Sequence, residues 1–361
     1  MHLLVLPVSG NFFPCQLGLL TQLIDAEYDP NLIMGTSGGA VSAILSLGAD
    51  WSPSGIRRLA RKLKSSLFLR SWWPKPLSIL PSWGLGFFRG SVYNSGEGLD
   101  EFFETYFSVD SITQKEVWIG VTGITNKNKK KESAQFFCNL SQEKSQIDIS
   151  CFEKYHNIGQ STLCNSLHFL DGDLKRIQEA TIASASIPTV VPPQKIGEDS
   201  YVDGGVFFAS PMTPMRDSLE ALEDEEGLHI TYVNTYDIEE QKIMSSIDFY
   251  PGIFHTGAMT FATMVYSILS QDRLNGLKIL NPDISKIHRI PLKGSKTTLE
   301  QIFAFRKKCK RSFLELYTKS LDKIDLTDFK PEDILNVMDK VQEEYYCRFW
   351  WIGDNKFKLS L

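Results

Sequence analysis

Residues 32–45 have the sequence LIMGTSGGAVSAIL, which carries the strongest fold signal in the chain. The apolar run that ends at Gly35 predicts a short buried strand, and the small and apolar residues from Gly38 onward predict a helix. Glycines on both sides of Ser37 allow a sharp corner between the two elements, with the serine side chain projecting outward. The segment therefore predicts a strand, a tight corner and a helix, with Ser37 at the corner.

A strand and a helix are also predicted on the N-terminal side of this segment. Leu3 to Val8 is an apolar run of strand length, and Cys15 to Asp25 has apolar residues at helical spacing. Strands joined by a helical crossover pair in parallel, and such sheets are covered by helices on both faces. The first 45 residues therefore predict the α/β class.

The rest of the chain continues this alternation and then changes character. The predicted elements are a helix over Gly98 to Phe107, a hairpin of Val117 to Thr125 with Ala134 to Leu140, a helix through Ile177 that stops before Pro188, a strand over Leu228 to Thr235, and helices over Met259 to Leu269, Leu299 to Leu321 and Pro331 to Tyr346. The segment 151–170 has no clear period. We predict one domain over 1–235 with an aromatic and basic cap-like insertion at 51–90, and a mainly helical C-terminal extension over 236–361 packed on or beside it.

Composition limits the choice of function. The net charge of −5 does not favour nucleic acid as a partner. The six cysteines have no metal-ligand spacing, so we expect free thiols in a reducing compartment, no bound metal and no cofactor. No Lys or Arg precedes the apolar run at Leu3, and no apolar stretch reaches membrane-spanning length. We therefore expect a cytoplasmic protein without a signal peptide or transmembrane helix.

Two short motifs carry the predicted chemistry. Gly35-Thr36-Ser37-Gly38-Gly39 is a G-x-S-x-G corner, and the helix behind it directs backbone N–H groups toward an oxyanion formed at the serine. The second motif is Tyr201-Val202-Asp203-Gly204-Gly205, in which a partly desolvated carboxylate could accept the serine proton. Two alternatives stay open. Asp203 could be a hairpin-turn residue, or a histidine could complete a triad with Ser37, for which the candidates are His2, His156, His168, His229, His255 and His288.

Together with the segment ASASIPTVVPP at 183–193, these motifs resemble the patatin-like phospholipase family, and the resemblance covers about residues 1–211. It implies a three-layer α/β/α fold with a central, mostly parallel sheet. It also implies a catalytic dyad in which Ser37 is the nucleophile and Asp203 the base, supported by Gly35, Gly39, Gly204 and Gly205. The implied activity is that of a lipid acyl hydrolase, a phospholipase A or related lipid esterase that forms an acyl-serine intermediate.

The chain departs from the family at the predicted oxyanion hole. The family has the pattern G-G-G-x-[KR]-G after its first strand, whereas residues 8–18 here are VSGNFFPCQLG. Phe12 occupies the position of the basic residue and Phe13 that of a glycine. We predict that the amides of Gly10, Asn11 and Gly38 serve as donors, because backbone donors depend mainly on loop shape. The alternatives are a catalytically impaired module that binds lipid or protein, and a soluble carboxylesterase or thioesterase.

The segment 67–90 combines aromatic and basic residues. The large side chains predicted to contact substrate or membrane are Trp72, Trp73, Trp83 and Phe87. Packing within a lid is the alternative for the same residues. A second basic run covers residues 306–311. We expect a phospholipid or other lipid ester as substrate, peripheral contact with a membrane surface and no nucleic acid, and the sequence leaves open whether a protein activator is needed.

Overall fold

The structure of the protein is a computed structural model, which describes residues 2–25, 27–71, 93–95, 98–125, 133–145, 164–188, 190–208, 210–211, 229–234, 313–317 and 328–345. The strands are β1 (His2–Leu6), β2 (Leu32–Thr36), β3 (Leu69–Ser71), β4 (Tyr93–Ser95), β5 (Glu116–Thr125), β6 (Ser133–Cys138), β7 (Cys164–Phe169), β8 (Gln194–Ile196), β9 (Asp199–Asp203), β10 (His229–Asn234) and β11 (Phe313–Tyr317). The helices are α1 (Phe13–Asp25), α2 (Gly38–Gly48), α3 (Pro53–Ala60), α4 (Ser65–Phe68), α5 (Leu99–Tyr106), α6 (Val109–Thr113), α7 (Leu174–Ser184) and α8 (Pro331–Tyr345).

One mixed sheet forms the centre of the fold. Its main strand order is β11-β10-β1-β2-β5-β6-β7, and β9 pairs with both β5 and β8. Five pairs are parallel, namely β10–β11, β1–β10, β1–β2, β2–β5 and β6–β7. The pairs β5–β6, β5–β9 and β8–β9 are antiparallel. The fold class is therefore α/β with a mostly parallel sheet, in agreement with a three-layer α/β/α build.

The strand β5 is the longest among the described residues, and two strands share one of its edges. The strand β2 runs parallel along its first half, with Thr36 opposite Gly120. The strand β9 runs antiparallel along its second half, with Asp203 opposite Val121. Because β2 and β9 point toward each other on this edge, their C-terminal ends meet in the middle of β5.

Apolar side chains pack on both faces of the sheet. The larger cluster joins the sheet to helical residues such as Leu17, Ile44, Phe103 and Ile177. A smaller cluster on the other face includes Trp118 and Phe136, together with alternate residues of β1 and β2. Alternation of the two clusters along each strand follows from the two-residue period of side chains in a sheet.

Helix α8 packs on the N-terminal half of the chain. Its backbone approaches α1 so closely that a Cβ atom on Gly18 would lie 3.2 Å from the Cα atom of Met338. The Gln22 amide donates to the carbonyl of Val341 at 3.4 Å, and Arg57 forms a 2.6 Å ion pair with Asp339. The boundary predicted between 235 and 236 stays a prediction, but α8 and β11 both contact elements of the first 235 residues or pair with them.

Most predicted elements that fall on described residues agree with the structure to within a few residues. The strands β3, β4, β7, β8 and β9 were not predicted, and β7 lies in the segment 151–170, which has no clear period in the sequence. The predicted helix over Leu299 to Leu321 is wrong at β11, where residues 313–317 pair in parallel with β10. The reason is that a short apolar run satisfies either state, and a free sheet edge beside it favours the strand. The predicted helix over 259–269, the basic run at 306–311 and the four predicted contact residues Trp72, Trp73, Trp83 and Phe87 lie outside the described residues.

Among the described residues, helices of the length and apolar character needed to cross a bilayer do not occur.

Candidate active site

Ser37 lies at the corner between β2 and α2 and is 2% exposed. Its backbone has φ 56° and ψ −127°, a region that residues with side chains rarely adopt and that costs about 1–3 kcal/mol. The Ser184 hydroxyl accepts the backbone N–H of Ser37 at 2.9 Å and donates to the carbonyl of Gly120 at 2.6 Å. The end of α7 thus holds the strained corner against β5.

Asp203 is the last residue of β9 and is 3% exposed. Its Oδ2 atom accepts the hydroxyl of Ser37 at 2.7 Å, and its Oδ1 atom accepts the N–H of Gly205 at 2.7 Å. The backbone N–H of Asp203 donates to the carbonyl of Ser186 at 3.0 Å. The structure therefore brings together the two side chains that the motifs singled out.

The pairing of β5 explains why these residues meet. Ser37 directly follows Thr36, which lies opposite Gly120, and Asp203 lies opposite the next residue, Val121. Because the C-terminal ends of β2 and β9 point at each other along β5, the hydroxyl of Ser37 and the carboxylate of Asp203 lie within hydrogen-bond distance. Asp203 is followed by a 3-10 turn over Gly204–Val206, so the interpretation as a hairpin-turn residue is wrong.

Burial controls the acidity of the carboxyl group. It raises the pKa of Asp203 from 3.8 to about 7, while the hydrogen bonds from Ser37 and Gly205 act in the opposite direction. A carboxylate with a pKa near neutrality can both accept and return a proton under physiological conditions. This is the property required of a general base that later acts as an acid.

The structure gives no support to a histidine triad in the part of the chain that it describes. The Ser37 hydroxyl already donates to the carboxylate of Asp203. The ring of His168 contacts Gln135 at 3.0 Å and stacks on Phe137, and burial lowers its pKa. The side chains of the remaining candidates other than His2 lie outside the described residues.

Two of the three predicted oxyanion donors, Gly10 and Gly38, lie beside the serine corner. Gly10 has φ 49° and begins a 3-10 turn over Gly10–Phe12, with Asn11 in its middle. A Cβ atom on Gly38 would lie 3.1 Å from the Gly10 nitrogen, so the two backbones are in close contact. Gly38 is the first residue of α2, and the first N–H groups of a helix have no partner within it. Gly10 and Gly38 line the same cavity as Ser37.

The loop that carries Gly10 is anchored by buried side chains. Ser9 donates to Gln16 Oε1 at 2.9 Å, and the Gln16 amide donates to the carbonyl of Pro7 at 3.0 Å. Ser42 of α2 contacts the same Gln16 oxygen at 3.2 Å and donates to the carbonyl of Gly38 at 2.9 Å. These hydrogen bonds fix the loop relative to the serine corner even though the loop has few glycines.

The motif glycines allow the elements of the site to pack closely. A Cβ atom on Gly39 would lie 2.0 Å from the carbonyl oxygen of Leu6, and one on Gly204 would lie 2.7 Å from that of Gly120. The other two supporting glycines, Gly35 and Gly205, would likewise place a Cβ atom under 3.0 Å from a neighbouring atom. Side chains at these positions would separate β2, α2 and β9.

An apolar cavity opens beside Ser37. Its walls come from several helices and the loop after α7, and they include Val41, Ile44, Leu99, Phe102, Ile187 and Val191. The volume of the cavity that is open to the centre of a water-sized sphere is about 120 Å³. A single water molecule needs roughly 10–15 Å³ on the same measure. The cavity therefore has room for a hydrocarbon group next to the hydroxyl of Ser37.

The polar side chains of the cavity wall are already hydrogen-bonded. Thr181 donates to the carbonyl of Ile177 at 2.7 Å, and Ser186 donates to that of Ile182 at 2.8 Å. An apolar guest would leave neither hydroxyl without a partner. Clusters of three or more side chains suited to a metal ion are not found among the described residues.

Sequence reasoning missed Ser184 and Gln16. Both are completely buried. Ser184 lies within the 183–193 segment, where the resemblance was noted but no role was assigned to the residue. Gln16 could have been noticed as a polar residue between apolar neighbours near the start of a mainly apolar helix, because buried polar groups need hydrogen-bond partners.

Comparison with known proteins places this geometry in a wider context. The family model described as Patatin-like phospholipase matches residues 9–216, which is more than half of the chain. Among solved structures, the crystal structure of VipD from Legionella pneumophila matches with a TM-score of 0.31 and 10% sequence identity, over 96% of this chain and 66% of that one. This chain therefore spans slightly less than two thirds of the VipD chain, and a similarity this low carries no argument. A search of curated proteins found no significant match.

Proposed function

The chain belongs to the patatin-like phospholipase family, and from this premise we propose that it cleaves carboxylic esters of phospholipids or related lipids through an acyl-serine on Ser37. Membership of the family supports lipid acyl hydrolase activity in general. The specific assignment depends on one observation above all, the 2.7 Å hydrogen bond from the Ser37 hydroxyl to the buried carboxylate of Asp203.

In the proposed first step, the carboxylate of Asp203 accepts the hydroxyl proton as Ser37 Oγ attacks the acyl carbon. The negative charge that develops on the carbonyl oxygen is stabilised by the amides of Gly10, Asn11 and Gly38, each donor contributing about 3 kcal/mol. Asp203 then returns the proton to the departing alcohol oxygen as the ester bond breaks, which leaves the acyl group on Ser37.

In the second step, Asp203 accepts a proton from water, and the resulting hydroxide attacks the acyl carbon. Collapse of this intermediate breaks the bond to Ser37 Oγ, which regains its proton from Asp203. The fatty acid is released and the dyad is restored. One carboxyl group with a pKa of about 7 supports both proton transfers, since it is neither fully ionised nor fully protonated near neutrality.

The cavity beside Ser37 supports a lipid as the substrate. Its walls are mainly aliphatic and aromatic, and the hydroxyls of Thr181 and Ser186 are satisfied by backbone carbonyls. Burying a methylene group contributes about 0.8 kcal/mol, so an acyl chain would gain binding energy along such a surface. Peripheral contact with a membrane through the segment 67–90, and a division of the chain at 235/236, are further parts of this proposal.

A catalytically impaired lipid-binding module is a second candidate. It is favoured by the loop at Gly10–Phe12, where Phe12 stands in place of the basic residue of the family pattern and is 3% exposed. The cavity would then hold a lipid without cleaving it. The two candidates differ in whether the Ser37 hydroxyl is activated.

The test is the release of fatty acid from phospholipid vesicles, together with labelling by a fluorophosphonate. We expect both to be abolished by Ser37→Ala, and release to fall by several orders of magnitude in Asp203→Ala. Ser46→Ala is the matched control, because Ser46 is a buried serine of α2, the helix that follows Ser37, and its hydroxyl donates to the backbone carbonyl of Ser42. Labelling without hydrolysis would favour an activated serine with another substrate, and the absence of both would favour the binding module.

A further inference from the structure

The cavity beside Ser37 is completed by a residue from the far end of the chain. Phe329 lines it and is 3% exposed. The position lies well outside residues 9–216, which match the family. Part of the cavity wall is therefore supplied by a segment of the chain that lies outside the region matched by the family model.

Three phenylalanine rings form this part of the wall. The ring centroid of Phe329 lies 6.2 Å from that of Phe13 and 6.1 Å from that of Phe68, and Phe13 and Phe68 are 6.2 Å apart. All three residues line the cavity. The rings come from α1, α4 and the segment before α8, so each is held by a different element.

The position of Phe329 is fixed by its surroundings. Its carbonyl accepts the N–H of Ser65 at 3.3 Å. Helix α8 begins two residues later and buries Ile334, Met338 and Val341. Phe329 is thus attached to a packed helix, and its ring is a fixed boundary of the cavity.

We propose that Phe329, with Phe13 and Phe68, limits the length of the acyl chain that the cavity accepts. The inference rests on the proposed function for the identity of the guest as an acyl group. Each methylene that the wall can bury is worth about 0.8 kcal/mol, or about a fourfold gain in rate or affinity. The gain ends where the chain reaches the aromatic wall, and removal of one ring extends the space available to the chain.

The experiment measures how fast n-alkyl fluorophosphonates, from hexyl to hexadecyl, inactivate the full-length protein. We expect the rate for the wild type to rise by about fourfold per methylene up to a limiting length and then to level off or fall. In Phe329→Ala the limit moves to longer chains, and in Phe329→Leu it moves less. Phe136→Leu is the matched control, because Phe136 is fully buried in the apolar cluster on the other face of the sheet. The limiting alkyl chain length of this variant should equal that of the wild type.

The same limiting length in the wild type and both Phe329 variants would overturn the inference while leaving the proposed function intact. If the serine is not labelled in any protein, the proposed function fails, and the inference is then decided by fatty-acid binding to the Ser37→Ala protein. A series of saturated fatty acids should show affinity that levels off at a longer chain when Phe329→Ala is added. Unchanged chain-length dependence of that affinity would overturn the inference.

Discussion

Replacement of Asp203 by asparagine should abolish hydrolysis and at the same time stabilise the fold at alkaline pH. Asparagine has nearly the same shape and can still accept the N–H of Gly205, but it carries no charge. The buried carboxylate has its pKa raised from 3.8 to about 7, which means that the folded chain disfavours the ionised form. The substitution removes that unfavourable contribution.

The direction and magnitude of this effect on the free energy of unfolding follow from the pKa of Asp203 in the folded and the unfolded chain. Because the folded chain holds the proton more tightly, ionisation of this group destabilises the fold as pH rises from 3.8, and the loss is complete above about 7. A rise from 3.8 to about 7 corresponds to about 4 kcal/mol at alkaline pH. At about pH 5 the destabilisation has built up only over the pH interval from 3.8 to about 5, so the ionised carboxylate costs about 2 kcal/mol there.

The assay is urea unfolding followed by tryptophan fluorescence, at about pH 8 and about pH 5. We expect the difference in unfolding free energy between Asp203→Asn and wild type to be about 2–3 kcal/mol more favourable at the higher pH. Asp199→Asn is the matched control, because Asp199 begins the same strand but is only half-buried. A difference that does not change with pH would refute the reasoning, since any constant cost of the altered hydrogen bonds cancels in this comparison.

Three further outcomes are expected. The value of kcat/KM should fall about tenfold per pH unit below about pH 7, because the Asp203 carboxylate must be ionised to accept the proton; a profile that is flat to about pH 5 would contradict this role. Ser184→Ala should lower kcat roughly tenfold with little change in KM, because loss of the Ser184 hydroxyl releases the strained backbone at Ser37 without removing a substrate contact. A tenfold change in KM with kcat unchanged would instead indicate a role in binding. Gly39→Ala should lower the melting temperature sharply, at a cost of about 1–3 kcal/mol or more, because its Cβ atom would meet the carbonyl of Leu6; a wild-type melting curve would show that the corner is less tightly packed than described.

Local patterns were sufficient to predict the elements around the serine. The strand, corner and helix of residues 32–48 follow from an apolar run, flanking glycines and small residues, all within one short stretch. The helix α7 and the hairpin of β5 and β6 were likewise predicted, because their signals are local. The strand β11 was predicted as helix, because a short apolar run takes its state from the sheet edge available to it. The strands β7 and β9 were not predicted, because neither CNSLHF nor DSYVD contains an apolar run of strand length.

The sequence by itself determined which side chains are chemically competent, Ser37 at a glycine corner and Asp203 before two glycines. Only the tertiary structure decided that they meet, because β2 and β9 converge on one edge of β5, and strand order is a property of long-range packing rather than of local periodicity. The same holds for the hydroxyl of Ser184 on the serine corner and for the ring of Phe329 in the cavity wall, which lie 147 and 292 positions from Ser37. Contacts over such separations depend on which apolar faces pack together, and no pattern within a short stretch of chain encodes that choice.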